Sequence, residues 1–221
     1  MTNNIIYTAI TNGKDKLKEN QNKENAKLVA FTELRSQNWE VRKPLNLFTD
    51  PTRNAKIYKV LAHQFLDCDY SLWIDGSITL LVPMQNLIDY YLKDSDIAMF
   101  RHYKRDCIYD EAQICKKMKL DFPEVVDKQM AKYKKEGYPV KNGLNEGTII
   151  LRRHTKKMEE FNNLWWSEIC AGSKRDQLSL NYCFWRLKIK PASFPSTVYN
   201  SIMFNFKRHR DANKLKIFKP I

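Results

Sequence analysis

Short apolar segments alternate along this chain with stretches of helical periodicity, and this alternation limits the fold more than any other feature. The apolar segments of strand length cover residues 4–11, 28–32, 70–74, 97–100 and 148–151, with a brief one at 39–41. Between most of them, apolar positions recur every three or four residues, as on one face of a helix. Strands alternating with helices form a mainly parallel sheet covered on both faces. We therefore expect an α/β fold with a Rossmann-like, mainly parallel central sheet flanked by helices.

The helical stretches have recognisable limits. They are expected at residues 52–65, 83–92, 109–118, 123–136, 154–170 and 175–185. The clearest start is Asp50-Pro51, because Asp caps helices well and Pro suits the first turn. Residues 12–13 (Asn-Gly) predict a turn, residues 14–27 a loop or an exposed helix, and the tail after residue 185 a mostly irregular segment. With no internal repeat or low-complexity linker, residues 1–221 are expected to form one domain.

The cysteines and the apolar runs indicate an intracellular protein. The five cysteines are an odd number with no CxxC pair, so neither a disulfide framework nor a zinc site follows. A reducing environment is the better interpretation. The apolar run at residues 5–10 is too short for a signal peptide or a membrane span. We expect a soluble, cytoplasmic protein without a transmembrane segment.

The net charge of +13 favours an anionic partner. Nucleic acid, a membrane surface and a phosphorylated small molecule all fit such a charge. Most basic residues are spread along the chain, which is typical of a solvated surface. A basic nucleic-acid-binding domain is one alternative, but the aromatic residues lie mostly in apolar runs and not between basic residues. We expect no specific nucleic-acid partner.

The segment ending in Asp75-Gly76-Ser77 places a carboxylate directly after an apolar strand. In open α/β sheets, ligands bind beyond the carboxyl ends of the strands. Gly76 allows a close backbone approach, and a cation that bridges phosphates needs hard oxygen ligands. An ordinary Asp-Gly turn explains the same residues. This segment alone does not decide between the two.

Several separated segments resemble the GT-A glycosyltransferases, in that family's order. The Asp75 segment resembles the Asp-x-Asp motif, and residues 144–151 resemble the Asn-x-Gly element near the donor sugar. A narrower likeness is to a glycosyltransferase-like family shared by plant Golgi proteins, bacteria and large DNA viruses, including chlorella viruses. It rests on residues 53–56 (RNAK), 73–77 (WIDGS), 105–111 (RDCIYDE), 136–139 (EGYP) and 175–177 (RDQ).

The resemblance implies a metal-dependent glycosyltransferase. It would move a hexose or deoxyhexose from a nucleoside diphosphate, such as UDP-glucose or UDP-rhamnose, to a hydroxyl of a glycan or glycoprotein. Inversion of the anomeric centre is expected, with retention as the alternative. Large DNA viruses in the family make an infected host cell one setting. A metal-dependent hydrolase of a phosphorylated substrate is a further alternative. The residues expected to bind the nucleotide-sugar donor are Thr8, Ala9, Thr11, Arg53, Lys56, Asp75, Gly76, Ser77 and Lys207.

The resemblance also implies a metal shell and a catalytic base. Asp75, Ser77 and His209 are the expected metal ligands, although Ser77 replaces a carboxylate and could act through water or by orienting a phosphate. Imidazole suits Mn²⁺ better than Mg²⁺, so Mn²⁺ is expected, with Mg²⁺ as the alternative. A surface histidine in a basic tail also explains His209. Asp176 is the first candidate for the base and Glu146 the second; a helix N-cap or an ion pair with Arg175 also explains Asp176.

Overall fold

A seven-stranded sheet forms the centre of the computed structural model, which describes residues 2–11 and 15–207. The strands of the chain are β1 (Asn4–Ile10), β2 (Lys27–Thr32), β3 (Glu40–Arg42), β4 (Tyr70–Ile74), β5 (Ile78–Leu80), β6 (Ile97–Arg101), β7 (Asn145–Arg153), β8 (Ala192–Ser193) and β9 (Phe204–Phe206). The central sheet has the order β3-β2-β1-β4-β7-β6-β8, and β5 and β9 form a separate antiparallel pair.

One strand of the central sheet runs against the others. Strand β7 is antiparallel to both β4 and β6, whereas β1, β2, β3 and β4 pair in parallel and β8 is parallel to β6. The expected α/β fold with a mainly parallel sheet is therefore confirmed. Because β7 is reversed, its first residues lie at the same edge as the last residues of β1, β4 and β6.

Helices cover both faces of the sheet. They are α1 (Pro51–Val60), α2 (Ala62–Phe65), α3 (Met84–Tyr91), α4 (Ile108–Lys117), α5 (Pro123–Lys135), α6 (Lys156–Ala171) and α7 (Asp176–Arg186), with a 3₁₀ turn at Val198–Asn200. Successive strand residues point to opposite faces, so Tyr7 and Trp73 join one buried apolar cluster while Ile6 and Leu72 join the other. No helix of the described ranges is both long and apolar enough to cross a membrane.

The first predicted helix is interrupted. The pattern at residues 52–65 predicts one helix, but α1 and α2 are separated at Leu61, whose φ and ψ are −92° and 41°. Asp50 caps α1 as expected, by accepting a hydrogen bond from the backbone of Thr52. At the other end, the carbonyl of Lys59 accepts hydrogen bonds from the side chains of Arg152 and Tyr7. Tertiary contacts therefore hold the end of α1 and separate it from α2.

Two other expectations need correction. Strand β7 begins at Asn145 and not at residue 148, and the pair of β5 with β9 was not predicted because each strand has only three residues. Residues 15–26 form an irregular loop, which is one of the two expected alternatives. The predicted Asn-Gly turn lies outside the described residues. One consequence of the longer β7 is that Glu146 lies within a strand.

Candidate functional site

A cavity of about 830 Å³ opens at the sheet edge where β1 and β4 end and β7 begins. We call it the first cavity. Its volume lies within the usual range for small-molecule sites. The predicted site residues that line it are Ala9, Thr11, Lys56, Asp75, Gly76, Ser77, Glu146 and Asp176.

Asp176 joins two lysines of α1 in a buried ion-pair cluster. Its Oδ1 lies 2.9 Å from Lys56 Nζ, and its Oδ2 lies 2.7 Å from Lys59 Nζ. The second pair is close enough for an ion pair although it lies outside hydrogen-bond geometry. Lys56 and Lys59 are one helical turn apart and so project from the same side of α1. The cluster fixes the start of α7 against α1.

A glycine makes room for this cluster. A Cβ atom at Gly147 would lie 2.8 Å from Lys59 Nζ and 3.2 Å from Asp176 Oδ2. Both distances are shorter than ordinary van der Waals contacts, so a side chain at this position would displace the ion pair. The Asn-x-Gly element of the sequence therefore has a steric reason for its glycine.

The surroundings of Asp176 oppose its predicted role as the base. Burial alone would raise the pKa of Asp176, but the ammonium groups of Lys56 and Lys59 outweigh it and lower that pKa well below its ordinary value. A carboxylate with such a low pKa accepts protons poorly. The alternatives also fail: Arg175 occupies the N-cap position, and no ion pair joins Arg175 to Asp176 among the described residues.

Asp75 is oriented by its neighbours in and beside β4. The indole of Trp73 donates a hydrogen bond to Asp75 Oδ1 at 2.8 Å, and Lys59 Nζ lies 4.0 Å from the same oxygen. The backbone N–H of Asp75 donates to the carbonyl of Thr148. Burial raises the pKa of Asp75, and the charge of Lys59 opposes that shift. The carboxylate is thus fixed at the end of β4 and faces the first cavity.

The residues beside Asp75 include Ser77, the second predicted cation ligand. Ser77 is buried, and Gly76 is in close contact with Asp15, because a Cβ at Gly76 would lie 2.8 Å from Asp15 Cβ. Within the described ranges, no three acidic, His or Cys side chains form a metal-binding group. His209, the third predicted ligand, lies outside the described residues. Asp75 and Ser77 can therefore contribute to a cation site but do not complete it.

Glu146 lies in an irregularity of β7. Phe100 pairs with Glu146 whereas Met99 pairs with Ile150, so residues 147–149 bulge out of the ladder with β6. Such bulges commonly re-aim side chains next to active sites. Burial raises the pKa of Glu146 to about 7, and the nearby Glu111 carboxylate adds to that shift. A carboxylate with a pKa near neutrality suits general-base catalysis.

Helix α7 holds the start of β7 in place. Asn181 accepts a hydrogen bond from the backbone N–H of Asn145 at 2.8 Å and donates one to the Asn145 side chain at 2.9 Å. Gln177 donates to the carbonyl of Asn145 at 3.1 Å. The helix that contributes Asp176 therefore also positions the residue directly before Glu146.

Three predicted donor-binding residues do not line the first cavity. Thr8 is buried on the sheet face of Ile6. Arg53 donates to the carbonyls of Ile169 and Gly172 at the end of α6, so it acts in the packing of that helix. The side chain of Lys207 is exposed, and its backbone N–H donates to the carbonyl of Ser77.

The sequence prediction left out several residues of the first cavity. Lys59 had a usable signal, because its spacing from Lys56 places both on one side of a helix. Arg175 was considered only as a partner of Asp176. Trp73 had a usable signal as well, because side chains two residues apart along a strand point to the same side, which places its indole beside Asp75. For Glu111 the sequence carries no such signal, since the tertiary fold buries it beside Arg105, at 2.6 Å.

Two curated proteins of Arabidopsis thaliana are similar to this chain. "Probable hexosyltransferase MUCI70" is 34% identical over 155 residues, which cover 65% of this chain and 27% of that protein. "Alkaline ceramidase TOD1" is 22% identical over 184 residues, covering 77% of this chain and 40% of that protein. The chain thus spans well under half the length of these relatives.

A solved structure described as "crystal structure of a glycosyltransferase involved in the glycosylation of the major capsid of PBCV-1" is also similar. It has a TM-score of 0.47 and 12% identity, and covers 87% of this chain and 81% of that one. Among protein families, residues 4–215 match the TOD1/MUCI70 glycosyltransferase-like domain. The match spans nearly the whole chain and confirms the resemblance seen in the sequence. The chain belongs to the TOD1/MUCI70 glycosyltransferase-like domain family.

Proposed function

We propose that this chain transfers a hexosyl or deoxyhexosyl group from a UDP-sugar, bound in the first cavity, to a hydroxyl of a glycan. The observation that carries the proposal is the position of Glu146, with a pKa of about 7, in the same cavity as Asp75 and the Lys56–Asp176–Lys59 cluster. Family membership and the hexosyltransferase named among the relatives support sugar transfer. The sugar itself, glucose or rhamnose, follows only from the resemblance.

The diphosphate would bind among the cations of the first cavity. Arg175 lines that cavity, and its buried Nε has no hydrogen-bond partner among the described residues. A buried donor without a partner is costly, and a phosphate oxygen would satisfy it. Lys56 and Lys59 are held in fixed positions by Asp176, so their charge is available without further ordering. The nucleoside would extend towards Ala9 and Thr11 at the end of β1.

The charge of the first cavity supports a need for a divalent cation. Its described lining has equal numbers of cationic and acidic side chains: Lys56, Lys59, Lys104, Arg105 and Arg175 against Asp15, Asp75, Glu111, Glu146 and Asp176. A multiply charged diphosphate would therefore meet little net positive charge. Asp75 and Ser77 would hold Mn²⁺, or Mg²⁺, and the cation would stabilise the leaving diphosphate. Whether His209 completes the set stays a prediction.

Glu146 would deprotonate the acceptor hydroxyl, which is the role first predicted for Asp176. Glu146 pairs with no cation at ion-pair distance within the described ranges, so its charge is not neutralised as that of Asp176 is. A single base that activates the acceptor is the arrangement of an inverting transferase. Asp176 would instead fix the two lysines beside the diphosphate.

Binding tests the donor site directly. Isothermal titration with UDP and Mn²⁺ should saturate at one site. Arg175→Ala should weaken UDP binding at least about tenfold, because a hydrogen bond to a charged group contributes roughly 1.5–3 kcal/mol. Lys93→Ala, which changes an exposed lysine outside the first cavity, is the matched control and should bind UDP normally. Equal affinity of Arg175→Ala and the unchanged protein would contradict the diphosphate site.

Products distinguish transfer from hydrolysis. One relative is named for ceramide hydrolysis, and a hydrolase of a phosphorylated substrate would use the same cavity. Incubation with a UDP-sugar and a mixture of glycan acceptors should give a glycosylated product. Release of free sugar alone, at the same rate with and without acceptors, would favour hydrolysis. Tight oligonucleotide binding at physiological salt without a UDP response would favour the nucleic-acid alternative.

A further inference from the structure

A second cavity, of about 1010 Å³, opens beside the first at the start of β7. The two cavities share His102 and Arg105 in their walls. The second cavity is also lined by Arg101 of β6, Asn145 of β7, Trp185 of α7 and the segment 188–191 that follows α7. Apart from the shared His102 and Arg105, none of these residues lines the first cavity, where the donor is proposed to bind.

The second cavity has an excess of positive charge. Arg101, Lys188 and Lys190 are exposed, and none of them lies within ion-pair distance of a carboxylate in the part of the chain that the structure describes. Arg105 and Arg186 are already paired, with Glu111 and Glu136 respectively. Asp106 is the one carboxylate in the described lining. A cavity with several unpaired cations is suited to an anionic ligand.

The second cavity also contains an aromatic surface. Trp185 is half-buried, and its ring is supported edge-on by Tyr138, with centroids 5.5 Å apart and an interplanar angle of 89°. Supporting contacts of this kind fix the ring and reduce the entropy lost on binding. A fixed indole beside polar groups can pack against the apolar face of a sugar ring. The exposed amide side chain of Asn142 offers hydrogen bonds to hydroxyl groups in the same cavity.

The position of the second cavity connects it to the proposed chemistry. Asn145 lines the second cavity, whereas the next residue, Glu146, lines the first. A chain of sugars in the second cavity could therefore present a terminal hydroxyl to the Glu146 carboxylate. His102 lies at the boundary, and its Nδ1 is 3.2 Å and 3.0 Å from the backbone nitrogens of Lys104 and Arg105. This boundary is therefore ordered by local hydrogen bonds.

We propose that the second cavity is the acceptor site and that it selects an acidic oligosaccharide, one whose sugars carry carboxylate groups. Arg101, Lys188 and Lys190 bind the carboxylates, and Trp185 packs against a sugar ring. The acceptor role rests on the proposed glycosyl transfer, whereas the binding of an acidic oligosaccharide does not. The two are therefore tested separately.

Titration calorimetry with a uronic-acid tetrasaccharide and a neutral hexose tetrasaccharide tests the binding. The acidic ligand should bind at least about tenfold more tightly, with an affinity that falls as salt rises. The double substitution Lys188→Asn and Lys190→Gln should remove most of that preference. Asn is chosen at position 188 because the φ of Lys188 is 51°, in the left-handed region, which Asn tolerates. Lys93→Gln with Lys157→Gln, two exposed lysines outside both cavities, is the matched control.

The outcomes separate this proposal from the proposed function. Equal binding of the two tetrasaccharides, or an unchanged affinity in the Lys188/Lys190 variant, overturns the acidic acceptor site. A short single-stranded oligonucleotide that binds more tightly than the acidic tetrasaccharide, with the same dependence on Lys188 and Lys190, also overturns it. UDP binding to the Lys188/Lys190 variant should be unchanged. If the unchanged protein binds the acidic tetrasaccharide as expected but does not bind UDP, only the proposed donor function is contradicted.

Discussion

Arg152 donates a hydrogen bond from Nη2 to the carbonyl oxygen of Lys59, at 2.7 Å, in the interior of the protein. The hydroxyl of Tyr7 donates to the same carbonyl at 3.2 Å and accepts a hydrogen bond from Arg152. Burial raises the pKa of Tyr7 to about 12, so its phenol stays protonated and keeps donating. Tyr7 of β1 and Arg152 of β7, the two strands beside β4, thus hold the backbone of Lys59 in place. The side chain of Lys59 lines the first cavity.

Arg152→Met tests whether this contact positions Lys59. Arg152 is fully buried and forms no ion pair within the described ranges. Loss of its hydrogen bonds is therefore offset by relief of its desolvation, and the free energy of unfolding should change by less than about 2 kcal/mol. UDP affinity, measured by titration, should nevertheless fall about tenfold, because the Lys59 backbone is released. A large loss of stability with normal UDP binding by the folded fraction would assign Arg152 to the core alone.

Glu146→Gln tests the proposed base. The variant should bind UDP normally but lose turnover by roughly 10²–10⁴-fold, as expected for loss of a general base. In the unchanged protein, kcat/KM should rise with pH and level off above about 7, since Glu146 must be ionised to accept a proton. A pH-independent rate across that range, or a Glu146→Gln variant with normal turnover, would exclude Glu146.

Glu146→Gln should also change how the free energy of unfolding depends on pH. Burial and Glu111 raise the folded pKa of Glu146 to about 7 from an ordinary 4.5, while Arg105 opposes the shift. Between those pH values the unfolded chain releases the proton and the folded one keeps it, so stability falls as pH rises. Glu146→Gln should therefore be more stable than the unchanged protein at pH 8, by at most roughly 3 kcal/mol, and equal to it near pH 4. Denaturant unfolding at both pH values measures the difference.

The local parts of this structure could be predicted from sequence, and the parts that depend on long-range contacts could not. The strand before Asp75 and the helix after Asp50-Pro51 follow from apolar periodicity and capping, and both are present. The choice between Asp176 and Glu146 depends on which lysines reach each carboxylate, and Lys56 and Lys59 are more than a hundred residues from Asp176 in the chain. Periodicity contains no information on such a contact. The hydrogen bonds of Arg53 could not be predicted for the same reason, because its partners are carbonyls at the end of α6.

Gly147→Ala tests the space beside the ion-pair cluster. The added methyl group would lie 2.8 Å from Lys59 Nζ and would push the ammonium group away from Asp176. We expect a loss of about 1–3 kcal/mol of stability from overpacking, and weaker UDP binding. Gly137→Ala is the control, because its φ of 83° also makes alanine costly but nothing lies within 4 Å of the added atom. Equal UDP affinity in both variants would show that Gly147 matters only for folding.

The proposed cation site predicts that Mn²⁺ and UDP bind cooperatively. UDP affinity should rise when Mn²⁺ replaces EDTA, because Asp75 and the diphosphate would share the ion. Asp75→Asn should remove most of that increase, and Ser77→Ala a smaller part. His209→Ala extends the test to the residue outside the described structure. Identical UDP affinities in Mn²⁺ and in EDTA would contradict a cation in the donor site.

Asp176→Asn tests the assignment of Asp176 as the anchor of Lys56 and Lys59. The two lysines lower the pKa of Asp176 in the folded protein below its ordinary value of 3.8. The ionised carboxylate therefore stabilises the fold fully above pH 3.8, and this stabilisation is lost as the pH falls towards the pKa of Asp176 in the folded protein. At pH 7 the variant should lose about 3–5 kcal/mol of unfolding free energy, since it leaves buried cations without a partner. That deficit should persist down to about pH 4.

Asp127→Asn, which removes an exposed partner of Lys116, is the control and should cost less than about 1 kcal/mol. In Asp176→Asn, UDP affinity should fall together with stability, because Lys56 and Lys59 lose their fixed positions. A stable Asp176→Asn variant that binds UDP normally and loses only turnover would restore Asp176 as the base.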